Sequence, residues 1–263
     1  IHNTTSWINV SDWGAPAWDL IHPDRYPPFQ HGGSHRGKRV VPILTSRGCP
    51  YPCTYCAGHI LTGKKIRLRS IQDVVDEMEM LIKKYGIDEF LIEDENFTFY
   101  REHALSFIKE VQRRKIRCHF SFPNGLRMDK LDEKIVGGLH DIGTYRVNVG
   151  LESGSEEVLR SIKKKWDLDS CIKEICRLKR YNIEVRGFFI LGFPDESREN
   201  MRKTVQLALR CGVDTAYFQN FLPLPGTESF NGLLKKGELS LESFNWEIFS
   251  SNVGQYPYSP AGI

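Results

Sequence analysis

The alternation of short apolar strands with amphipathic helices is the feature that most constrains how this chain folds. Six such units follow one another between residues 40 and 225 of the 263-residue sequence. In the first helix, "SIQDVVDEMEMLIKKYG", the apolar positions from Ile71 to Ile82 follow a helical period. Ser70 and Gly86 are its predicted N-cap and C-terminal stop. Consecutive strand–helix units of this kind predict a parallel sheet with right-handed crossovers.

Polar residues on two of the predicted strands distinguish this sheet from one that is buried on both faces. Arg146, Asn148 and Glu152 share a face of "YRVNVGLES", and Glu184 and Arg186 share a face of "IEVRGFFI". Strands covered on both sides are nearly all apolar. The pattern therefore favours a barrel with a wet, incompletely filled lumen. An internal ion pair, for instance between Arg146 and Glu184, is the alternative.

The two ends of the chain lack this regular pattern. Residues 1–39 are rich in Trp, Pro, His and Gly and are predicted to form an irregular arm, whereas residues 40–225 form the barrel. Residues 226–263 are predicted to be an irregular C-terminal extension. Short basic runs such as Lys163 to Lys165 are interpreted as solvated helix faces.

Net charge, hydropathy and cysteine usage guide the prediction of partners and of cellular location. The formal net charge of +3 does not indicate a nucleic-acid partner, and no apolar run approaches the ~20 residues that a membrane span requires. The seven cysteines are an odd number, and three of them cluster at one place. This is a poor disulfide framework, so a reducing cytoplasm is the predicted location.

Three of the cysteines lie within eight positions in the loop after the first strand. In "RGCPYPCTYCAG", Cys49, Cys53 and Cys56 have the spacing C-x3-C-x2-C. Four sites use such thiols: a zinc site completed by His59, a disulfide with one thiol left over, a catalytic thiol, or an iron–sulfur cluster. A cluster held by three thiolates keeps one iron open for another ligand. The loop leaves the carboxyl end of a strand, where α/β barrels build active sites, and this position favours the cluster.

The triplet, with Tyr55 just before its last cysteine, resembles the radical S-adenosylmethionine (radical SAM) superfamily. The resemblance implies an α/β fold, a partial (β/α)6 barrel of the TIM type. It also implies that Cys49, Cys53 and Cys56 hold a [4Fe-4S] cluster whose open iron is chelated by SAM. Reductive cleavage of SAM then releases a 5′-deoxyadenosyl radical, and the electron comes from a flavodoxin- or ferredoxin-type donor.

The resemblance also assigns a SAM contact to the segment after the second strand. "EDENF" stands where the superfamily often has a Gly-Gly-Glu that binds the SAM amine, so Asp94, Glu95 and Asn96 are the candidates for that contact. A solvated acidic turn is the alternative. In "FPNGLR", after the third strand, Asn124 is a candidate for the SAM carboxylate or ribose.

Further SAM contacts are implied at the ends of the fourth and fifth strands. "GLESGS" resembles the ribose-binding segment, with Glu152 on the ribose diol and Ser153 donating to a carboxylate. Ser153 or Ser155 could instead cap the next helix. Tyr55 is expected to pack near the adenine, and Arg186 to neutralise a carboxylate.

Four segments together look most like one branch of the superfamily. "TSRGCPYPCTYC", "GLESGS", "GFP" and "PLPGT" resemble proteins that carry a cobalamin-binding domain before the barrel, and the arm resembles the link to that domain. Residues 1–39 cannot form the domain themselves. The branch implies cobalamin, bound outside this chain, and methyl transfer to an unactivated carbon. A cobalamin-independent rearrangement, cyclisation or methylthiolation is one alternative, and a non-catalytic zinc-binding module is another. Nothing names the substrate, whether small molecule or peptide.

Overall fold

A six-stranded parallel sheet forms the body of the computed structural model, which describes residues 10–25 and 35–242. A two-stranded antiparallel ribbon, Ser46–Arg47 with Arg67–Leu68, flanks the cysteine loop. Each strand of the large sheet pairs in parallel with the next strand of that sheet along the chain. The predicted partial barrel is therefore confirmed. The strands are β1 (Val40–Ile43), β2 (Ser46–Arg47), β3 (Arg67–Leu68), β4 (Glu89–Ile92), β5 (His119–Phe122), β6 (Thr144–Glu152), β7 (Glu184–Leu191) and β8 (Thr215–Asn220).

Helices connect the strands, and the first long one begins and ends where the sequence predicts. The Ser70 hydroxyl accepts a hydrogen bond from the Asp73 amide, and the Gly86 amide donates to Ile82. Both contacts satisfy backbone groups that a helix end leaves without partners. The helices are α1 (Gly58–Thr62), α2 (Ile71–Tyr85), α3 (Arg101–Arg113), α4 (Glu133–Asp141), α5 (Glu156–Ser161), α6 (Leu168–Arg180), α7 (Arg198–Arg210) and α8 (Glu228–Lys236).

The two faces of the sheet differ as the strand period requires. Val147 and Val149 on β6, and Val185 and Phe189 on β7, belong to the core between sheet and helices. The intervening residues point to the other face, where they line a polar lumen. The register pairs Arg146 with Glu184 and Asn148 with Arg186. Both sequence-based interpretations therefore hold, since the lumen is polar and contains an Arg146–Glu184 ion pair of 3.1 Å.

The described parts of the arm pack against the barrel. Trp18 donates its indole N–H to Glu77 on α2 at 2.7 Å. Residues 35–37 lie at the amino ends of the strands, where the buried Glu89 carboxylate accepts hydrogen bonds from the Arg36 and Gly37 amides. The Tyr145 hydroxyl donates to the same carboxylate at 2.7 Å. These contacts close the amino end of the barrel. Sequence patterns do not reveal them, because the buried Glu89 carboxylate binds donors from segments that are far apart in the chain. The division into arm, barrel and extension stays a prediction.

The start of the C-terminal extension is a helix, which the irregular pattern after Pro223 did not indicate. The Thr227 hydroxyl accepts a hydrogen bond from the Phe230 amide and caps α8. Phe230 and Leu233 then pack with Phe193 and Phe221 in a second apolar cluster. The extension beyond residue 242 lies outside the described residues. In the part of the chain that is described, no helix has the length and apolar character needed to cross a membrane.

Candidate active site

The cysteine loop is held at the carboxyl end of β1 by a tight backbone approach. Gly48 has a φ of +111°, and a Cβ at this position would lie 2.4 Å from the Lys65 carbonyl oxygen. Only glycine fits this position without a shift of the backbone. The Cys49 amide donates to Gly63, and the Cys56 amide donates to Cys53. The loop thus presents its three cysteines as half-buried, free thiols.

Two cations stand beside these thiols. Burial raises the pKa of Cys49 and of Cys53, and the charges of Arg127 near Cys49 and of Lys164 near Cys53 oppose that rise. The Arg127 guanidinium lies 3.7 Å from the centre of the Tyr51 ring, which holds it over the loop. Thiolates flanked by fixed positive charge are suited to an anionic iron–sulfur cluster.

The zinc alternative requires a fourth ligand close to the three thiols. Within residues 10–25 and 35–242, no three side chains of His, Cys, Asp or Glu converge as ligands of one metal ion. A ligand set that includes His59 is therefore not assembled there. In a cluster each of the three thiolates would bind a separate iron, so a cluster does not require them to meet at one ion.

The acidic turn after β4 is buried rather than solvated. Asp94 is 1% exposed, and its carboxylate accepts hydrogen bonds from the Thr45 amide, the Thr45 hydroxyl and the Ser46 hydroxyl at 2.5–2.7 Å. Burial raises the pKa of Asp94 to about 6. Asp94 therefore fixes the segment that leads into the cysteine loop.

Its two neighbours face the loop more directly. Glu95 accepts a hydrogen bond from the Gly48 amide at 2.9 Å and pairs with Arg47 at 3.5 Å. Asn96 is almost fully buried, and among the described residues its Oδ1 has no hydrogen-bond partner. The identity of the SAM amine ligand stays a prediction, for which Glu95 and Asn96 have the more available oxygens.

The end of β6 turns a second carboxylate toward the cysteine loop. Glu152 has a φ of +64°, a left-handed conformation that non-glycine residues adopt at a cost and that is common at functional sites. Its Oε1 accepts a hydrogen bond from Lys164 Nζ at 2.5 Å, and the two side chains are only 9% and 10% exposed. A Cβ on Gly150 would lie 2.3 Å from this Oε1. Gly150 therefore leaves the space that the Glu152 carboxylate occupies.

Tyr55 completes this group from the loop side. Its ring packs edge-on against Phe193 with 5.4 Å between ring centres, just after β7. Burial, and secondarily the nearby Glu152 carboxylate, raises the pKa of the Tyr55 hydroxyl. The charges of Lys164 and Glu152 also act on Cys53. The structure thus brings Cys53, Tyr55 and Glu152 together, as the sequence predicts, and adds Lys164.

Lys164 is the residue that the sequence interpretation missed. The basic run was predicted to be a solvated helix face, and for Lys164 this is wrong. Helix α5 ends at Ser161, and Lys163 takes a left-handed φ of +57°, so that the chain turns and directs Lys164 inward. Lys163 itself stays on the surface, paired with Glu228. The sequence carries no signal for this turn, because Val158, Ile162 and Trp166 continue the helical period.

Three other predicted SAM residues have partners in the fold. Ser153 is fully buried and hydrogen-bonds the Thr204 hydroxyl on α7 at 3.0 Å. Asn124 is exposed and donates to the Glu93 carbonyl at 2.8 Å. Arg186 lies in the lumen and donates to Glu184 at 2.7 Å. The Ser155 hydroxyl accepts a hydrogen bond from the Val158 amide and caps α5. Of the two serines considered as caps of this helix, Ser155 is therefore the one that caps it. SAM contacts of Ser153, Asn124 and Arg186 stay predictions.

Comparison with known protein families gives a match that spans most of the barrel and the cysteine loop. Residues 43–208 match the family model of the Radical SAM superfamily. The chain belongs to that superfamily. The prediction of a radical SAM enzyme is therefore confirmed, and the non-catalytic zinc module is not supported.

Curated relatives of this radical SAM chain include proteins named as methyltransferases. It is 28% identical to an uncharacterized methyltransferase of Pyrococcus horikoshii, over 92% of this chain and 50% of the relative. It is 33% identical to the cytidylyl-2-hydroxyethylphosphonate methyltransferase of Streptomyces wedmorensis, over 84% of this chain and 43% of the relative. The chain thus spans half or less of the length of these relatives.

Solved structures with the same fold include cobalamin-dependent radical SAM proteins. The methyltransferase TsrM of Kitasatospora setae, with cobalamin and a [4Fe-4S] cluster bound, matches with a TM-score of 0.69 at 22% identity, over 75% of this chain and 37% of TsrM. OxsB with aqua-cobalamin and SAM bound matches with a TM-score of 0.67 at 17% identity, over 85% of this chain and 39% of OxsB. These structures carry the cofactors that the sequence predicts.

Proposed function

We propose that this radical SAM chain is the catalytic barrel of a cobalamin-dependent enzyme that methylates an unactivated carbon. The observation that carries the proposal is the group formed by Cys53, Tyr55, Glu152 and Lys164 at the mouth of the barrel. It places a thiol, an aromatic ring, a carboxylate and an ammonium group within one partly buried site. Those are the groups needed to hold a cluster and a zwitterionic nucleoside side by side.

Cys49, Cys53 and Cys56 would hold the [4Fe-4S] cluster. When bound, the cluster supplies the electron that cleaves SAM reductively. Arg127 and Lys164 lie beside the thiols and offset their negative charge. Asp94 keeps Thr45 and Ser46 in place, so the loop that carries the thiols begins at a fixed position.

Glu152 and Tyr55 would orient SAM beside the cluster. A carboxylate accepts two hydrogen bonds from a diol, so Glu152 is suited to the ribose. Tyr55 and Phe193 form an aromatic wall at the end of β7 against which adenine can pack. Lys164 holds the Glu152 carboxylate in place and can donate a further hydrogen bond from its ammonium group.

The methyl-transfer part of the proposal is supported by resemblance rather than by a site in this chain. Relatives named as methyltransferases match most of it, including a bacteriochlorophyllide d C-12(1)-methyltransferase of Chlorobaculum tepidum. Relatives with other names also match, such as an anaerobic magnesium-protoporphyrin IX monomethyl ester cyclase of Rubrivivax gelatinosus. The reaction product therefore decides between methylation and cyclisation. A cytoplasmic location and a flavodoxin- or ferredoxin-type donor stay predictions.

Reconstitution under anaerobic conditions tests the cluster. We expect about four irons per chain and absorption near ~400 nm. Cys53→Ala should lose the cluster, whereas His59→Ala should keep it, because His59 is a ligand only in the zinc alternative. Stoichiometric zinc that depends on His59 would contradict the proposal.

Product analysis tests the reaction. With dithionite and SAM we expect the chain alone to form 5′-deoxyadenosine slowly and to give no methylated product, even with free methylcobalamin. The natural gene product, if it carries a cobalamin-binding domain, should methylate its substrate. Efficient methylation by the isolated chain would place the corrin site in the barrel instead.

A further inference from the structure

The first turn of α8 contacts the cysteine loop at Thr54, the residue between Cys53 and Tyr55. The Ser229 hydroxyl donates a hydrogen bond to Thr54 Oγ1 at 3.0 Å, and the Ser229 amide donates to the Thr54 carbonyl at 3.0 Å. Thr54 is only 7% exposed, so most of this contact is shielded from water. A helix that follows the last strand of the barrel is thus bonded directly to the loop that carries the proposed cluster ligands.

A second segment holds the other side of Thr54. The Thr54 amide donates to the Ile162 carbonyl at 3.1 Å, just after the end of α5. Because a peptide group is planar, a hydrogen bond to its N–H or its C=O restrains the whole plane. The peptide group that joins Thr54 to Cys53 is therefore held from α5, and the peptide group that joins it to Tyr55 is held from α8.

The two neighbours of Thr54 have separate roles in the proposed site. Cys53 is a proposed ligand of the cluster, and Tyr55 forms with Phe193 the aromatic wall proposed for adenine. Phe193 in turn packs in the same apolar cluster as Phe230 of α8. A rotation of the backbone at Thr54 would therefore move a cluster ligand and the adenine wall together.

Helix α8 is anchored by contacts that do not involve the Ser229 hydroxyl. Thr227 caps its first turn, and Gly237, with a φ of +72°, ends it. Phe230 and Leu233 pack in the second apolar cluster. The amide of Ser229 is one of those that the start of a helix leaves without a partner inside the helix. Both donors of Ser229 are therefore available to the cysteine loop, and loss of the hydroxyl should leave α8 in place.

We propose that Ser229 is a positioning residue, which acts through Thr54 to orient Cys53 toward the cluster and Tyr55 toward the adenine of SAM. The inference rests on the proposed function and deepens it, because it makes α8 a part of the active site. Without the hydroxyl, Thr54 keeps only one of its two hydrogen bonds to α8. The loop then gains freedom at the point where both side chains branch from it.

Alkylation of the iron-free chain tests the loop without any cofactor. Cys53 and Cys49 react with iodoacetamide in the same molecule, and mass spectrometry gives the rate at each thiol. In Ser229→Ala we expect the Cys53 rate to rise about threefold relative to Cys49, whose amide is held separately by Gly63. Ser229→Thr keeps a hydroxyl and should behave as wild type. Ser170→Ala, in the first turn of α6, is the matched control and should leave the ratio unchanged.

The reconstituted protein tests the consequence for the cofactors. Ser229→Ala should keep the iron content and Tm of wild type, change the electron paramagnetic resonance spectrum of the reduced cluster, and bind SAM about threefold more weakly. Thr54→Val removes the other partner of the same hydrogen bond. Thr54→Val and the double variant should therefore each weaken SAM binding about as much as Ser229→Ala does, rather than additively.

The outcomes separate positioning from a purely structural contact. An unchanged alkylation ratio, or an unchanged affinity for SAM, in Ser229→Ala would overturn the inference. A lower Tm without either change would make the contact structural only. Failure of the proposed function has a different signature, because wild-type protein then forms no cluster or no methylated product while the alkylation ratio still responds to Ser229→Ala.

Discussion

The contact between Lys164 and Glu152 gives the sharpest prediction of stability. The ammonium and carboxylate are 2.5 Å apart, and each side chain is about one-tenth exposed. Lys164→Met keeps the length of the side chain but leaves the Glu152 carboxylate buried and without its cation. Breaking a buried pair in this way costs about 3–5 kcal/mol. We take about 3 kcal/mol, because the pair lies at the mouth of the barrel and relaxation admits water.

The neighbouring residue supplies a matched control. Lys163 pairs with Glu228 at 2.6 Å, but these side chains are 48% and 61% exposed. Exposed pairs contribute about 0–1 kcal/mol, so Lys163→Met should change stability by less than 1 kcal/mol. Both are Lys–Glu pairs, with shortest distances of 2.5 and 2.6 Å, and burial is the difference that the comparison uses.

Thermal unfolding, followed by circular dichroism under reducing anaerobic conditions, measures both effects. At about 2–4 °C per kcal/mol for a domain of this size, Lys164→Met should lower Tm by roughly 6–12 °C and Lys163→Met by less than 4 °C. The double variant Lys164→Met/Glu152→Gln should recover much of the loss, since it removes the unpaired charge. Equal shifts for the two lysine variants, or additive effects in the double variant, would show that the buried pair contributes no more to stability than the exposed one.

Three further predictions concern the surroundings of this pair. The pKa of Asp94 is about 6 in the fold against 3.8 for the free group, so between these pH values the folded state holds a proton that the unfolded state has lost. The free energy of unfolding should therefore fall by up to about 3 kcal/mol from pH 4 to pH 6. Asp94→Asn should abolish this part of the pH dependence in urea titrations. A methyl group on Gly150 would lie 2.3 Å from Glu152 Oε1, so Gly150→Ala should displace that carboxylate and weaken SAM binding about tenfold. Gly154→Ala, whose methyl would lie 2.2 Å from the Lys203 carbonyl oxygen, should instead destabilise the fold by about 1–3 kcal/mol without contacting Glu152. Cys53→Ala should bind much less iron than wild type, and Cys176→Ala, an exposed thiol on α6, should bind as much as wild type; similar iron contents in the two variants would contradict the ligand assignment.

Local patterns predicted most of the barrel. The helical period from Ile71 to Ile82 and the caps at Ser70 and Gly86 placed α2, because these signals depend only on neighbouring residues. The strand period separated lumen residues from core residues on β6 and β7. The cysteine spacing predicted where the site lies, since a loop after a parallel strand must open at the carboxyl edge of the sheet.

What sequence patterns could not predict depends on contacts between distant segments. Asp94 binds Thr45 and Ser46, more than 45 positions earlier, and so serves the cysteine loop although the sequence shows only an acidic turn. Lys164 turns inward because the backbone leaves its helical path at Lys163. The closure at Glu89 likewise depends on donors from residues 35–37 and Tyr145. Neither composition nor periodicity encodes such pairings.

The radical reaction at the cysteine loop is tested most directly by one measurement on the reconstituted chain. Protein with its iron content determined is mixed anaerobically with SAM and dithionite, and 5′-deoxyadenosine is quantified against the Cys53→Ala variant. We expect about four irons per chain and 5′-deoxyadenosine in at least a stoichiometric amount for wild type, with neither for the variant. A radical reaction at this loop is excluded if wild-type protein carries its full iron content and binds SAM, yet forms no more 5′-deoxyadenosine than Cys53→Ala.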